Sequence, residues 1–234
     1  MKKLPLFLIF LLFFAAQTDL WAKALYVSPT GNDNVTWNAN TRTSPWQTVS
    51  KALTSVQPGD TVYFLDGTYP ITSKITPTAQ GSLSAPIRIT SDPGATVKWE
   101  TPSSFTQTAI ELGRSYWTFD HLQWRYTSTA NIASPNYSGD IGFLRIGWDN
   151  VATNVTVDHV TAVSLAGGDN FGIIHGMPDC DYLTVTNCNF TVPVGSSYSG
   201  NTTCIITFRC DYSNISNNIF NGGCRTIYYK HYGI

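Results

Sequence analysis

The tripeptide Cys180-Asp181-Tyr182 returns as Cys210-Asp211-Tyr212 thirty residues later, and the register holds downstream, where Val185-Thr186-Asn187 matches Ile215-Ser216-Asn217. Earlier copies are Val155-Thr156-Val157-Asp158-His159, Trp117-Thr118-Phe119-Asp120-His121 and, one step further back, Ile87-Arg88-Ile89-Thr90. The anchors Ile89, Phe119, Val157, Val185 and Ile215 are separated by 30, 38, 28 and 30 residues. A second set of strand-like runs lies between them, at 141–146, 171–175, 203–208 and 225–230. A third, shorter set follows each anchor, as in Phe190-Thr191-Val192 and Ile219-Phe220. Three short strands per period of about 30 residues predict a β-solenoid, an all-β fold in which each coil buries its apolar face only against its neighbours. A sandwich of antiparallel strands is the alternative, but it does not require a tripeptide to return at a fixed interval.

Composition agrees with this reading. Charged residues are 12% of the 234, about half the usual ~25%, and the polarity comes from Thr, Ser and Asn, which suit strands and turns. A net charge of −1 excludes broad electrostatic capture of nucleic acid. Residues 1–24 read as a signal peptide: Lys2 and Lys3, an apolar run from Leu4 to Ala16, then Ala22-Lys23-Ala24 as a small-x-small cleavage site. The run is shorter than the ~20 residues a membrane span needs. The mature chain, residues 25–234, is therefore expected to be secreted, extracellular or periplasmic, with no stable membrane insertion.

Within the mature chain, 25–60 reads as an N-terminal cap and 61–234 as coils. Ser44-Pro45 suits N-cap and N1 of a helix, and Trp46, Val49, Leu53 and Val56 give it one apolar face. Pro58-Gly59 ends this helix, expected over 46–56. The five cysteines form no C-x-x-C pair, which argues against a zinc or thioredoxin-type site. The repeat puts Cys180 and Cys210 on adjacent coils at one strand spacing, within reach of a disulfide or as a stacked pair of thiols.

The opening residues Tyr26-Val27-Ser28-Pro29-Thr30-Gly31, Ser44-Pro45-Trp46, Lys51-Ala52-Leu53, Pro58-Gly59-Asp60-Thr61-Val62-Tyr63 and Gly67-Thr68-Tyr69 resemble the N-terminal cap of right-handed parallel β-helix proteins of the pectate-lyase-like, polysaccharide lyase group. Physically, such a cap covers the unpaired edges and the apolar core at the end of the stack. The resemblance implies an exported protein acting on a polysaccharide, most naturally a lyase cleaving a uronic-acid-containing polymer by β-elimination. A non-catalytic carbohydrate-binding or cell-surface β-helix, and a glycoside hydrolase on the same fold, are the alternatives. The hydrolase needs converging carboxylates at set separations, and no such pair stands on the relevant strands. The chain stops just after a strand-like run with no matching cap, so it reads as a C-terminally truncated fragment; a monomer is expected.

His121, His159, Asn187 and Asn217 fall at one equivalent position after the anchor strand. A polar residue at a recurring turn bonds along the stack, so the structural reading of the two histidines outweighs a catalytic one. Asp-His also resembles a pectate lyase motif, but the preceding Trp and the Arg-rich motif of those enzymes are absent. If this ladder marks the bend between the second and third sheets, as in the resembling family, the runs at 141–146, 171–175, 203–208 and 225–230 form the first sheet, beside which that family's substrate cleft lies.

Side-chain alternation then sends Arg145, His175, Arg209, Tyr228 and Lys230 outward, taking Leu144, Ile146, Ile174, Phe208, Ile227 and Tyr229 as inward. The outward cations are expected to form a basic stripe along the first sheet. Lys230 is the candidate base and Arg209 the candidate partner of the substrate carboxylate; Arg145, His175, Tyr228 and Trp148 are candidate substrate-binding residues. Trp148, with Tyr137 and Tyr198, can stack on sugar rings or simply pack its own loop. Asp181 and Asp211, one coil apart, are a candidate calcium pair, although turn aspartates more often cap backbone N–H groups.

Overall fold

A computed structural model describes residues 22–129, 141–168, 171–178, 180–194, 202–223 and 225–230. The leader residues 1–21, Tyr137 and Tyr198 lie outside this set, as does the side chain of Lys230. Strand β1 (Ala24–Val27) leads to helix α1 (Val49–Ser55), followed by β2 (Thr61–Phe64), β3 (Gly67–Pro70), β4 (Ile87–Ser91) and β5 (Val97–Thr101). From β6 (Ile110–Leu112) onward each coil contributes three strands. They are β7 (Trp117–Asp120), β8 (Gln123–Tyr126), β9 (Ile141–Ile146), β10 (Thr156–Asp158), β11 (Thr161–Ser164), β12 (Phe171–Gly176), β13 (Thr184–Thr186), β14 (Asn189–Thr191), β15 (Thr203–Phe208), β16 (Asn214–Ser216), β17 (Ile219–Asn221) and β18 (Arg225–Lys230).

The strands sort into three sheets, in strict rotation from β6 onward, and every pairing between named strands is parallel. The first sheet is β6-β9-β12-β15-β18, the second β1-β2-β4-β7-β10-β13-β16, the third β3-β5-β8-β11-β14-β17. This is the expected right-handed parallel β-helix. The anchors predicted from the repeat are register partners: Ile89, Phe119, Val157, Val185 and Ile215 line up across the second sheet, and Val62 of β2 extends the row. The interior is a continuous apolar column that includes Phe64, Trp99, Phe119, Trp124 and Phe190. Aromatic rings meet edge-on or stacked along it, as in Phe64–Trp99 at 5.0 Å, Trp99–Phe119 at 6.3 Å and Trp124–Phe143 at 5.0 Å. Such pairs add about 0.5–1.5 kcal/mol each beyond their buried area.

Two turns per coil use left-handed backbone. Tyr116, Asn154, Tyr182 and Tyr212, before the second-sheet strands, have φ of 60°, 56°, 59° and 55°; His121, His159, Asn187 and Asn217, after them, have 52°, 48°, 54° and 57°. Non-glycine residues tolerate this region sparsely, with Asn, Asp and His enriched. Repetition at every coil sets consecutive side chains one above another: the His121 and His159 rings stack at 4.7 Å and 7°, and Tyr182 and Tyr212 at 5.0 Å and 12°.

The helix begins later than the Ser44-Pro45 signal predicts. Its N-cap is Thr48, whose hydroxyl accepts from Lys51 N at 3.0 Å. Trp46 instead pairs with Val27, its N donating to Tyr26 O at 2.9 Å. Asp33 holds the extended entry by accepting from Gln47 N and Thr48 N, and from the Thr48 hydroxyl at 2.7 Å. The anticipated apolar face is retained: Trp46, Val49, Leu53 and Val56 are all buried. Cys180 and Cys210 form a disulfide with Cα atoms 4.9 Å apart. Among the described residues no helix is long and apolar enough to cross a membrane.

Candidate functional site

The first sheet differs from the other two because its outer face is also covered. Glu111, Arg145, His175, Ile206 and Tyr228 are successive register partners across β6, β9, β12, β15 and β18, so they share that outer face. Ile206, Phe208 and Met177 form a small apolar cluster separate from the main core, with Tyr228 packed against it. Alternation therefore places Arg145, His175 and Tyr228 correctly but fails for Phe208, which faces outward and is the register partner of Lys230. Arg209 is thereby excluded from the row. It follows the strand as an exposed residue with φ 47°, one position beyond the Phe208–Lys230 pair.

The expected solvated basic stripe is thus replaced by a mixed, largely buried face. His175 is fully buried and stacks on Phe208 at 5.4 Å and 12°. Arg145 is 8% exposed and bonds Glu111 Oε2 through both Nε, at 2.7 Å, and Nη2. Glu111, not anticipated from the sequence, is 1% exposed, and its Oε1 has no hydrogen-bond partner among the described residues. Burial pushes the Glu111 carboxyl above its ordinary value, and the bond and charge of Arg145 oppose this without cancelling it. A signal was present: Ile110-Glu111-Leu112 and Leu144-Arg145-Ile146 each set one charge between two apolar residues, one coil apart.

The guanidinium of Arg145 also lies over the ring of Trp148, 4.4 Å from its centroid. Trp148 is 43% exposed and lines a groove of about 460 Å³ with Gly147, Asp149, Asn150, Val151, Met177 and Pro178. The groove occupies the bends that follow β9 and β12. Gly147, at φ 82°, supplies the sharp exit from β9, and its N bonds Leu112 O at 3.0 Å. Met177 N bonds Ile146 O at 2.8 Å, which ties the opposite wall to the preceding coil. Tyr228, at the far side of the outer face, carries the Arg225 guanidinium 4.1 Å from its ring centroid.

The candidate calcium pair has other work. Asp181 Oδ1 accepts from Asp211 N at 2.8 Å, and Asp211 Oδ1 accepts from the Tyr229 hydroxyl at 3.4 Å. Among the described residues no three His, Cys, Asp or Glu side chains converge on a metal-sized site. Calcium takes six to eight oxygens, which this pair does not supply, so no chemistry is routed through it. His121 and His159 lie on the bend between the second and third sheets, away from the groove, each with Nδ1 on the preceding aspartate, at 3.0 Å to Asp120 and 2.8 Å to Asp158.

A family model described as "Pel9A-like, right handed beta helix region" matches residues 25–225. Among solved structures, a rhamnogalacturonan lyase superposes with a TM-score of 0.63 at 17% identity, over 90% of this chain and 54% of its own. The chain therefore spans about half the length of that protein. Pectate lyase Pel9A matches with a TM-score of 0.42 at 13% identity, over 91% of this chain and 79% of its own. At 17% identity the likeness to the rhamnogalacturonan lyase is one of fold. No curated protein matches the chain in sequence.

Proposed function

The chain belongs to the Pel9A-like right-handed β-helix family, and from that membership we propose that it is an exported polysaccharide lyase, cleaving a uronic-acid-containing polymer by β-elimination. The observation that carries the reading is the groove beside the first sheet, where a half-exposed Trp148 is backed by the Arg145 guanidinium. An aromatic face is a platform for the apolar face of a sugar ring, and a guanidinium behind it biases the groove toward an acidic sugar. The Cys180–Cys210 bond supports an oxidising compartment.

Elimination removes the proton from the carbon α to the uronate carboxylate. The electron pair forms a C=C bond, the bond to the glycosidic oxygen breaks, and that oxygen leaves with the pair and is protonated. The carbon acid is weak, so a cation must neutralise the carboxylate while a base takes the proton. Lys230 is the proposed base, a reading supported by the register of β18, which pairs it with Phe208 of β15. Arg209, exposed one position past its partner Phe208, is the proposed carboxylate ligand. A lysine base works when adjacent positive charge and partial desolvation favour its neutral form.

Non-catalytic sugar binding is the second reading, favoured by one observation: the groove's cation is already compensated by Glu111. Incubation with a panel of uronate polymers separates the two. A lyase generates the ultraviolet absorbance of the unsaturated product, whereas a binding module is retarded in affinity gels without producing it. Lys230→Ala is expected to abolish the absorbance while leaving retardation and the thermal midpoint unchanged; full activity in that variant removes Lys230 as the base.

A further inference from the structure

The N-terminal cap contains a carboxylate placed to receive an ammonium. Asp60 is 1% exposed. Its Oδ1 accepts from Lys23 N at 3.0 Å, and its Oδ2 from Trp37 Nε1 at 2.7 Å and Gln57 N at 2.8 Å. Three N–H donors satisfy its lone pairs, yet among the described residues no cationic side chain pairs with it in an ion pair. A buried carboxylate is costly without a counter-charge.

Lys23 is fixed at every functional group. Its carbonyl accepts from Thr61 N at 2.9 Å, opening the ladder between β1 and β2. Its Nζ donates to Trp37 O at 2.6 Å and Asn38 O at 2.8 Å, and lies 4.8 Å from the Trp37 ring centroid. Ala24 is the first paired residue of β1, opposite Thr61. Cleavage after Ala24, as the small-x-small pattern suggests, would remove all of these contacts. Cleavage after Ala22 keeps them; Ala22 supplies the small residue at the cut itself, with Leu20 rather than a small residue two positions before it.

We infer that the mature chain begins at Lys23, released by signal-peptidase hydrolysis of the Ala22–Lys23 bond, and that its new α-ammonium pairs with Asp60. Water adds across the peptide bond, leaving a carboxylate on Ala22 and an amine on Lys23 that is protonated at neutral pH. The amide donor at 3.0 Å then becomes a charged donor at the same place, which strengthens the bond. The inference rests on the cap alone and is independent of the lyase reading.

The test expresses the full chain with its own leader in an exporting host and reads the secreted product by intact mass and N-terminal sequencing. Lys23 as first residue is the expected result; a first residue of Leu25, any other start, or a retained leader overturns the inference. Selective acetylation of the α-amine on that product is expected to lower the thermal midpoint by several degrees in the wild type and hardly at all in Asp60→Asn. Equal losses in both proteins would remove the pairing.

Discussion

Arg145 joins Glu111 to Trp148: its guanidinium binds the buried carboxylate on one side and lies 4.4 Å from the indole centroid on the other. The posture of the exposed ring thus depends on an acid one coil away that no ligand in the groove need touch. Glu111→Ala leaves a buried guanidinium without its counter-charge and is expected to destabilise the fold by about 3–5 kcal/mol. Trp148→Ala removes only the half-exposed platform. It is expected to weaken polysaccharide retention roughly tenfold, the loss of about 1.4 kcal/mol, while chemical denaturation reads unchanged. Equal effects of the two substitutions on stability would mean that Trp148 is a packing residue.

His159, at φ 48° between Asp158 and the Asn187 turn, is expected to tolerate Asn, the residue its own repeat uses at positions 187 and 217. His159→Asn should change stability by less than about 0.5 kcal/mol, whereas β-branched His159→Val should cost about 1–3 kcal/mol in backbone strain. Both variants should retain whatever activity the wild type shows. Loss of activity in a folded His159→Asn would reopen a chemical role for the imidazole.

Asp158 carries the acid limb of stability at this turn. Burial alone would raise its carboxyl, but bonds from Asn187, Thr186 and His159 outweigh burial and hold it below the ordinary value of 3.8. A folded value below the unfolded one means that the contribution is present above the unfolded value and disappears as pH falls through the folded one. Asp158→Asn is therefore expected to be less stable than the wild type by roughly 1–2 kcal/mol near neutral pH, with the gap closing in strong acid. Urea titrations across that range check it; a constant gap would assign the loss to shape rather than charge.

Gly176 lies under the disulfide: a Cβ there would stand 2.7 Å from Cys180 Sγ and 2.8 Å from Cys210 Sγ. Gly176→Ala should cost about 1–3 kcal/mol through overpacking, and less in a background where both cysteines are serine and the sulfurs are gone. Thermal melts of the four proteins give the coupling directly; an unchanged cost in the serine background would place the clash elsewhere.

The coil register was legible because every coil repeats one chemical instruction at one place. The row from Ile89 to Ile215 follows from the sequence spacing, and so does the Cys180–Cys210 contact. The start of α1 was not, because Asp33 overrides the local Ser44-Pro45 signal from fifteen residues upstream of Thr48. Phe208 was misplaced for a different reason. Alternation separates core from surface only where one face meets water, and β15 is buried at every residue, so Phe208 reads as core although it faces away from it. Glu111 is not legible from the cations alone, because its role depends on the buried guanidinium one coil away that it neutralises.

The bond between Cys180 and Cys210 also changes what damage can do. A stack held by neighbour-to-neighbour contacts unravels from wherever it is cut. The segment between these cysteines, which are 30 positions apart, closes into a ring that spans parts of all three sheets. A protease nicking the chain inside that ring severs the backbone without releasing either piece, because the flanking coils stay tied through sulfur. The nicked protein would run as one species until reduced, a useful property for a molecule that meets proteases.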